Sequence, residues 1–112
     1  MEQSILTTKS KVFALQVIQL FQGLQSQWEF ILSKQILRSG TSIWANIREA
    51  IAGQSKKDFY AKICIAFKEA HKTHYWLELL EESKLIETNT QTLQSECDEL
   101  IKMLASTKIT SE

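Results

Sequence analysis

Two histidines and a glutamate stand at helical spacing in the stretch HKTHYWLE, where His71 and His74 are three residues apart and Glu78 follows His74 by four. On a helix these positions share a face, and imidazole nitrogens with a carboxylate form a donor set for zinc or another divalent metal. A metal centre inside a bundle also needs a complementary set on a facing helix, such as a Glu-x-x-His motif, and no other segment carries one. The expectation is no metal and no cofactor. A bundle-core metal-dependent enzyme is the alternative that convergence of His71, His74 and Glu78 with a second helix would support. Cys64 lies one heptad before His71, but about 10 Å of helix rise separates them, too far for a thiolate and its base. Glu81 and Glu82 are adjacent, point to different faces and read as a solvated helix end. With no glycine-rich phosphate loop either, no residue is assigned a catalytic role, and a protein that binds is expected rather than one that catalyses.

Charge offers a different chemistry. The formal net charge is zero, yet the middle of the chain is basic and the end acidic. Lys34, Arg38, Arg48, Lys56, Lys57, Lys62, Lys68 and Lys72 are opposed there only by Glu49, Asp58 and Glu69, whereas Glu78, Glu81, Glu82, Glu87, Glu96, Asp98 and Glu99 dominate later. Arg48, Lys56, Lys57 and Lys62 flank one interhelical junction and form the candidate site for a phosphate backbone, with Lys9, Lys11 and Lys108 expected nearby. An ordinary solvated surface with local ion pairs is the competing reading, and the overall neutrality favours it.

The elements that must position these residues are helices. Proline is absent and glycine occurs only at Gly23, Gly40 and Gly53 in 112 residues, so little interrupts a helical chain. The punctuation predicts one domain over 1–112 with helices at about 8–22, 27–52, 56–83 and 90–106. Gly23 is placed to end the first, with Ser26 and Glu29 in SQWE as a capping box opening the second. Gly53 is expected as a left-handed stop, and Ser55 with Asp58 opens the third helix. Thr88 or Thr90, with Gln91, opens the fourth, and residues after Ser106 are expected to fray. Short connections make this an all-α, antiparallel up-down-up-down four-helix bundle.

The third helix carries Tyr60, Ile65, Phe67, Tyr75, Trp76 and Leu79 outside its core stripe, and the first carries Leu15 and Ile18. One small bundle cannot bury so much, so burial against copies of the same chain is expected. No apolar run has the length of a secretory leader or a membrane span, which implies a cytoplasmic protein with no membrane partner and with Cys64 and Cys97 reduced.

Within SGTSIWANIREAIAG, the small residues Ser39, Gly40, Thr41, Ser42 and Ala45 invite close approach by another helix. Gly40, Trp44, Asn46, Tyr75 and Trp76 are the candidate packing residues between helices or subunits, with the Asn46 amide in need of partners if buried.

The stretch LRSGTSIWANIREAIAGQSKKDFYAKICIAFKEAHKTHYWLELL, Leu37 to Leu80, resembles the signature of proteins encoded within intervening sequences of bacterial 23S ribosomal RNA genes. The resemblance rests on LRS followed by small residues, ANIREA, SKKDF, KEA and YWLELL. It implies a bundle that assembles as a ring-shaped homo-oligomer, a homopentamer. It also implies similarity to the accessory protein of diversity-generating retroelements, and with it RNA or DNA and a reverse transcriptase as partners. Trp44 departs from the pattern, which usually has a small residue there, as in SIGAN. An assembly scaffold that binds only protein is the runner-up function.

Overall fold

The structure, a computed structural model, describes residues 2–112 and consists of four α-helices: α1 Glu2–Ser26, α2 Leu32–Ala52, α3 Lys56–Ser83 and α4 Gln91–Ser111. No strand occurs among the described residues. Each helix packs on its sequence neighbours, and α1 also packs on α4. The resulting four-helix bundle measures 44 × 20 × 19 Å. Leu6, Phe13, Val17 and Leu24 of α1, Ile36, Ile43 and Ile47 of α2, Ile63, Leu77 and Leu80 of α3 and Cys97, Leu100 and Leu104 of α4 form one buried core. Their three- and four-residue steps are what make these segments amphipathic helices. Val12 of α1, next to the buried Phe13, is half exposed, while Leu6 is buried.

The ends of α1 and α2 differ from the sequence expectation. Helix α1 begins at Glu2 and passes through Gly23 to Ser26. Gly23 does not end it because Leu24, one residue on, belongs to the core, and carrying the helix onward is what buries it. The stop comes at Trp28, which has φ 68°. There the Trp28 N–H donates to the Gln25 carbonyl at 3.0 Å and the Glu29 N–H to the Leu24 carbonyl at 2.9 Å. This is a Schellman termination with tryptophan in the left-handed position usually held by glycine. At Gly23 itself an added Cβ would meet nothing within 4 Å. Gly23→Ala is therefore expected to stabilise the fold by roughly 0.5–1 kcal/mol through reduced backbone entropy of the unfolded chain. Urea unfolding checks this, and a lower midpoint would contradict the open-space geometry.

The expected Ser26–Glu29 box does not form. Ser26 Oγ donates back to the Gly23 carbonyl, and α2 starts five residues later than expected, at Leu32. Glu29 caps it from outside the helix: its carboxylate accepts from the backbone N–H groups of Ile31 at 3.1 Å, Leu32 at 3.0 Å and Ser33 at 2.6 Å. The buried Ser33 hydroxyl donates to the Glu29 carbonyl and accepts from Gln25 Nε2, which ties the end of α1 to the start of α2.

At the other end Gly53 has φ −65° and ψ 158°, extended rather than left-handed. A Cβ there would meet the Asp58 carboxylate, the movable end of a side chain, and would lie 3.1 Å from the Ala50 carbonyl oxygen. Ser55 does cap α3, accepting from the Asp58 N–H at 3.0 Å. Before α4, Asn89 Oδ1 accepts from the Gln91 N–H at 2.9 Å. Gln91 Nε2 turns instead to Glu81, so the second capping box is also absent. Helix α4 continues to Ser111 rather than fraying after Ser106.

The small stretch in α2 is wedged between two neighbours. Gly40 faces Val17 of α1 so closely that an added Cβ would lie 2.9 Å from both valine methyls. On the α3 side, Ser39 Oγ accepts from Thr73 Oγ1 at 2.8 Å with both residues buried. Asn46 finds its partner in its own helix rather than in a neighbour, donating from Nδ2 to the Ser42 carbonyl at 2.9 Å.

Candidate nucleic-acid interface

The junction of α2 and α3 brings the predicted cations to one end of the bundle. Gly53 lets the chain reverse within a few residues, and the Ser55 cap fixes where α3 begins, which places Lys56 and Lys57 in its first turn. Both lysines and Arg48 are exposed, and none of the three forms an ion pair among the described residues. The Arg48 guanidinium lies 5.7 Å from the Trp44 ring centroid, a cation–π contact that orients the charge without neutralising it. Trp44, the large residue in place of a small one, thus holds an arginine at this end.

Lys62 belongs to the cluster in position but not in free charge, because its Nζ meets Glu49 Oε1 at 3.1 Å. Lys56 and Lys57 border shallow depressions shared with Tyr60, Ser111 and Glu112 and, for Lys56, with Gln3 and Phe59. The end is therefore built from all four helices and includes one carboxylate beside the lysines. Of the further lysines expected nearby, Lys9 does not extend the set, and Lys108 is half-buried against α3. Lys9 pairs with Glu99 of α4, and Lys108 Nζ sits 4.3 Å above the Phe67 ring. Three exposed cations remain for phosphate oxygens, opposed nearby by Asp58 and Glu112.

The residues weighed for metal or nucleophilic chemistry do not converge. His74 Nδ1 lies 2.7 Å from Glu78 Oε1 within α3, whereas His71 is exposed and packs edge-on to Phe67 with centroids 4.6 Å apart. Among the described residues no group of three or more His, Cys, Asp or Glu side chains could hold a metal ion. Cys64 adjoins Tyr60 rather than His71, and its proximity raises the tyrosine hydroxyl above its usual range. Cys97 is fully buried and donates to the Ala70 carbonyl at 3.2 Å. Burial, then the nearby Asp98 charge, pushes its thiol up to about 12, so it stays protonated and unreactive at neutral pH.

Of the packing candidates, Trp76 packs against the core and Tyr75 is half exposed, its ring edge-on to Trp76 at 5.0 Å. Sequence reading gave Glu29 a capping role but with Ser26 as its partner, and it missed the role of Glu81. Instead of belonging simply to a solvated end, Glu81 accepts from the Thr90 N–H at 2.6 Å, from Thr90 Oγ1 at 2.8 Å and from Gln91 Nε2. Those bonds hold its carboxyl below the usual range, the Thr90 backbone contribution being largest. No local signal marks the role of Glu81, which serves Thr90 and Gln91 nine and ten residues on, whereas Glu29 caps the N–H groups two to four residues after it.

The model of the family described as 23S rRNA-intervening sequence protein matches residues 2–106. Among solved structures, one of a protein with unknown function from the S23 ribosomal protein family of Bacteroides thetaiotaomicron VPI-5482 superposes with a TM-score of 0.91. It is 44% identical, and the match covers 96% of this chain and 98% of that one. No curated protein matches the sequence. No helix among the described residues is long and apolar enough to cross a membrane.

Proposed function

The chain belongs to the 23S rRNA-intervening sequence protein family, and from that premise we propose a non-enzymatic, self-assembling protein that binds the phosphate backbone of RNA or DNA. The observation that carries this reading is the trio of exposed cations Arg48, Lys56 and Lys57 at the α2–α3 junction, none of them ion-paired among the described residues. Such a surface meets phosphates without reading bases. Three cations on one subunit bind weakly, whereas a ring of subunits repeats them as a basic annulus.

Support for self-assembly comes from apolar side chains that one chain leaves in water. Ile5, Val12 and Leu15 on α1 and Ile65, Tyr75 and Leu79 on α3 are each about half exposed. The bundle itself reads as up-down-up-down with antiparallel neighbours, since Val17 meets Gly40 while Gln25 meets Ser33, and Ser39 meets Thr73 while Glu49 meets Lys62. A pentameric ring and an accessory role beside a reverse transcriptase complete the proposal and rest on the family resemblance. The same apolar faces, in a chain of zero net charge, favour the second reading, an assembly scaffold with protein partners only.

Titration of RNA and DNA at low and physiological salt tests the interface. Each counterion released steepens the salt dependence, so the native protein is expected to bind at low salt and lose most affinity by physiological salt. Lys56→Glu with Lys57→Glu is expected to abolish binding while leaving the mass of the smallest particle, measured by light scattering at high salt, unchanged. Equal binding by both proteins rejects the site, and absence of binding at low salt leaves the scaffold reading.

A further inference from the structure

We propose that the end of the bundle carrying Trp28 is a docking face for the opposite, basic end of a second copy of this chain, so that copies stack end to end.

The two ends can be located from side-chain pairs. Passing from Glu49–Lys62 to Ser39–Thr73 moves toward the start of α2 and the finish of α3 together. The connections 27–31 and 84–90 therefore lie at one end, and the α2–α3 junction, beside Ser111 and Glu112 of α4, lies at the other.

The first end presents a concentration of apolar surface. Trp28 is 82% exposed, Ile31 75% and Leu85 67%, and Phe30, also exposed, packs edge-on to Trp28 at 5.9 Å. Glu82 and Glu87 stand around it in solvent and Glu29 and Glu81 lie at the two connections, four carboxylates against the opposing charges Lys34 and Lys84. Trp28 holds the left-handed φ that terminates α1, a position that a glycine would occupy without steric cost. A bulky aromatic kept in a disfavoured backbone region, with its indole in water, makes no contribution to the core that would explain its presence. Strain of this kind concentrates where a surface meets a ligand or partner.

The second end carries the complement. Ile51 and Ile109 are exposed there, at 46% and 73%, beside the exposed cations Arg48, Lys56 and Lys57, with Asp58 and Glu112 opposing. An apolar patch with acidic neighbours on one end and separate exposed isoleucines with basic neighbours on the other can meet in a single head-to-tail contact. A second copy is thus the occupant whose chemistry the chain itself supplies. A head-to-tail contact does not close on itself and so propagates.

Size sets the strength. The cross-section of 20 × 19 Å limits each contact to roughly 400 Å² per partner, about half that of a standard stable interface. One pair of bundles therefore stacks weakly, and laterally assembled bundles stack firmly because several contacts form at once. That strengthening, though not the placement of the contact, rests on the lateral self-assembly proposed above. Lys56 and Lys57 also serve the proposed nucleic-acid interface, so RNA or DNA is expected to disperse the stacks.

Sedimentation velocity on the full chain, across protein concentration at low and high salt, provides the test. The expected result is a ladder of species at multiples of the smallest particle, dispersed by high salt. Trp28→Gly relieves the backbone strain and is expected to keep or raise the thermal midpoint while weakening stacking at least tenfold. Glu82→Lys with Glu87→Lys, and separately Lys56→Glu with Lys57→Glu, are each expected to abolish the ladder, and mixing the two variants to restore it. A single species at low salt and high concentration overturns end-to-end stacking. If that species has the monomer mass, lateral assembly is overturned too, whereas a larger single particle leaves lateral assembly standing. A ladder unchanged in folded Trp28→Gly, or unrestored by mixing the charge variants, also overturns the proposal.

Discussion

Gly40→Leu is expected to lower unfolding stability by about 3 kcal/mol, at the upper part of the usual overpacking range. Even Gly40→Ala is expected to destabilise, although alanine would gain about 1 kcal/mol over glycine in a free helix. The reason lies on α1. A Cβ at position 40 would stand 2.9 Å from both methyls of Val17, well inside van der Waals contact. Val17 is fully buried and β-branched, so rotation cannot clear both methyls at once. Relief would require α1 and α2 to separate, and that loosens the packing of Phe13, Ile43 and Ile47 as well. A double-mutant cycle in urea isolates the cause. With Val17→Ala already present, the added Cβ has room, and Gly40→Ala is expected to become neutral or stabilising, a coupling of about 1–2 kcal/mol. Stabilisation by Gly40→Ala in the native background would show that the helix pair yields more easily than this contact implies.

That contact was legible in the sequence because it combines two signals, a glycine inside an otherwise apolar helical pattern and small neighbours on either side. Similarly, Leu32, Ile36, Ile43, Ile47 and Ala50 share one stripe of α2 by spacing alone, and all are buried except Leu32, which is half-buried against the core. The family resemblance over Leu37 to Leu80 was equally legible, and the matched family over residues 2–106 bears it out. The connections were not legible. Ser26 and Glu29 satisfy the capping-box spacing, yet burial of Leu24 carries α1 past Gly23 and shifts the start of α2 to Leu32. Packing of one leucine outweighs the local preference of one glycine, and a window of a few residues contains no record of that competition. Gly53 shows the same limit from the other side: its position was read correctly as a helix end, but its backbone is extended rather than left-handed.

The candidate interface divides in the same manner. Sequence order placed Arg48, Lys56, Lys57 and Lys62 at one junction, because an interhelical turn brings its flanks together whatever the packing. It could not show that Glu49 takes up the charge of Lys62 or that Lys9 goes to Glu99. Which lysine remains free depends on the rotation of each helix about its axis, and that rotation follows from burial of the whole core. The Trp44 ring beneath Arg48 is likewise a contact that spacing alone does not announce.

Glu29→Ala is expected to destabilise the fold by about 2 kcal/mol, since it strips the acceptor from three backbone N–H groups at the start of α2. Ser33 is fully buried, so its N–H, now bonded at 2.6 Å, would have no water to replace the carboxylate. Glu29→Gln keeps the size but offers one neutral acceptor oxygen in place of two charged ones, and a smaller loss of about 1 kcal/mol is expected. The pH dependence distinguishes a charged cap from mere side-chain packing. Burial by itself raises the Glu29 carboxyl, but the backbone bonds from Ser33, Leu32 and Ile31, with the Ser33 hydroxyl, together outweigh it and hold the group below its usual 4.5. A depressed folded value means that the unfolded chain takes up its proton first as pH falls. The stability due to this group is therefore fully present above about pH 4.5 and is lost as pH drops through the lower folded value. The difference between native protein and Glu29→Gln should be constant near neutrality and narrow below pH 4.5. Glu81 is held low in the same direction by Thr90 and Gln91, so acid weakens both connections at the Trp28 end, and only the difference between these two proteins isolates Glu29. Urea unfolding midpoints from pH 7 to pH 3 measure it. A gap that stays constant to pH 3 would show that Glu29 acts by shape rather than by charge.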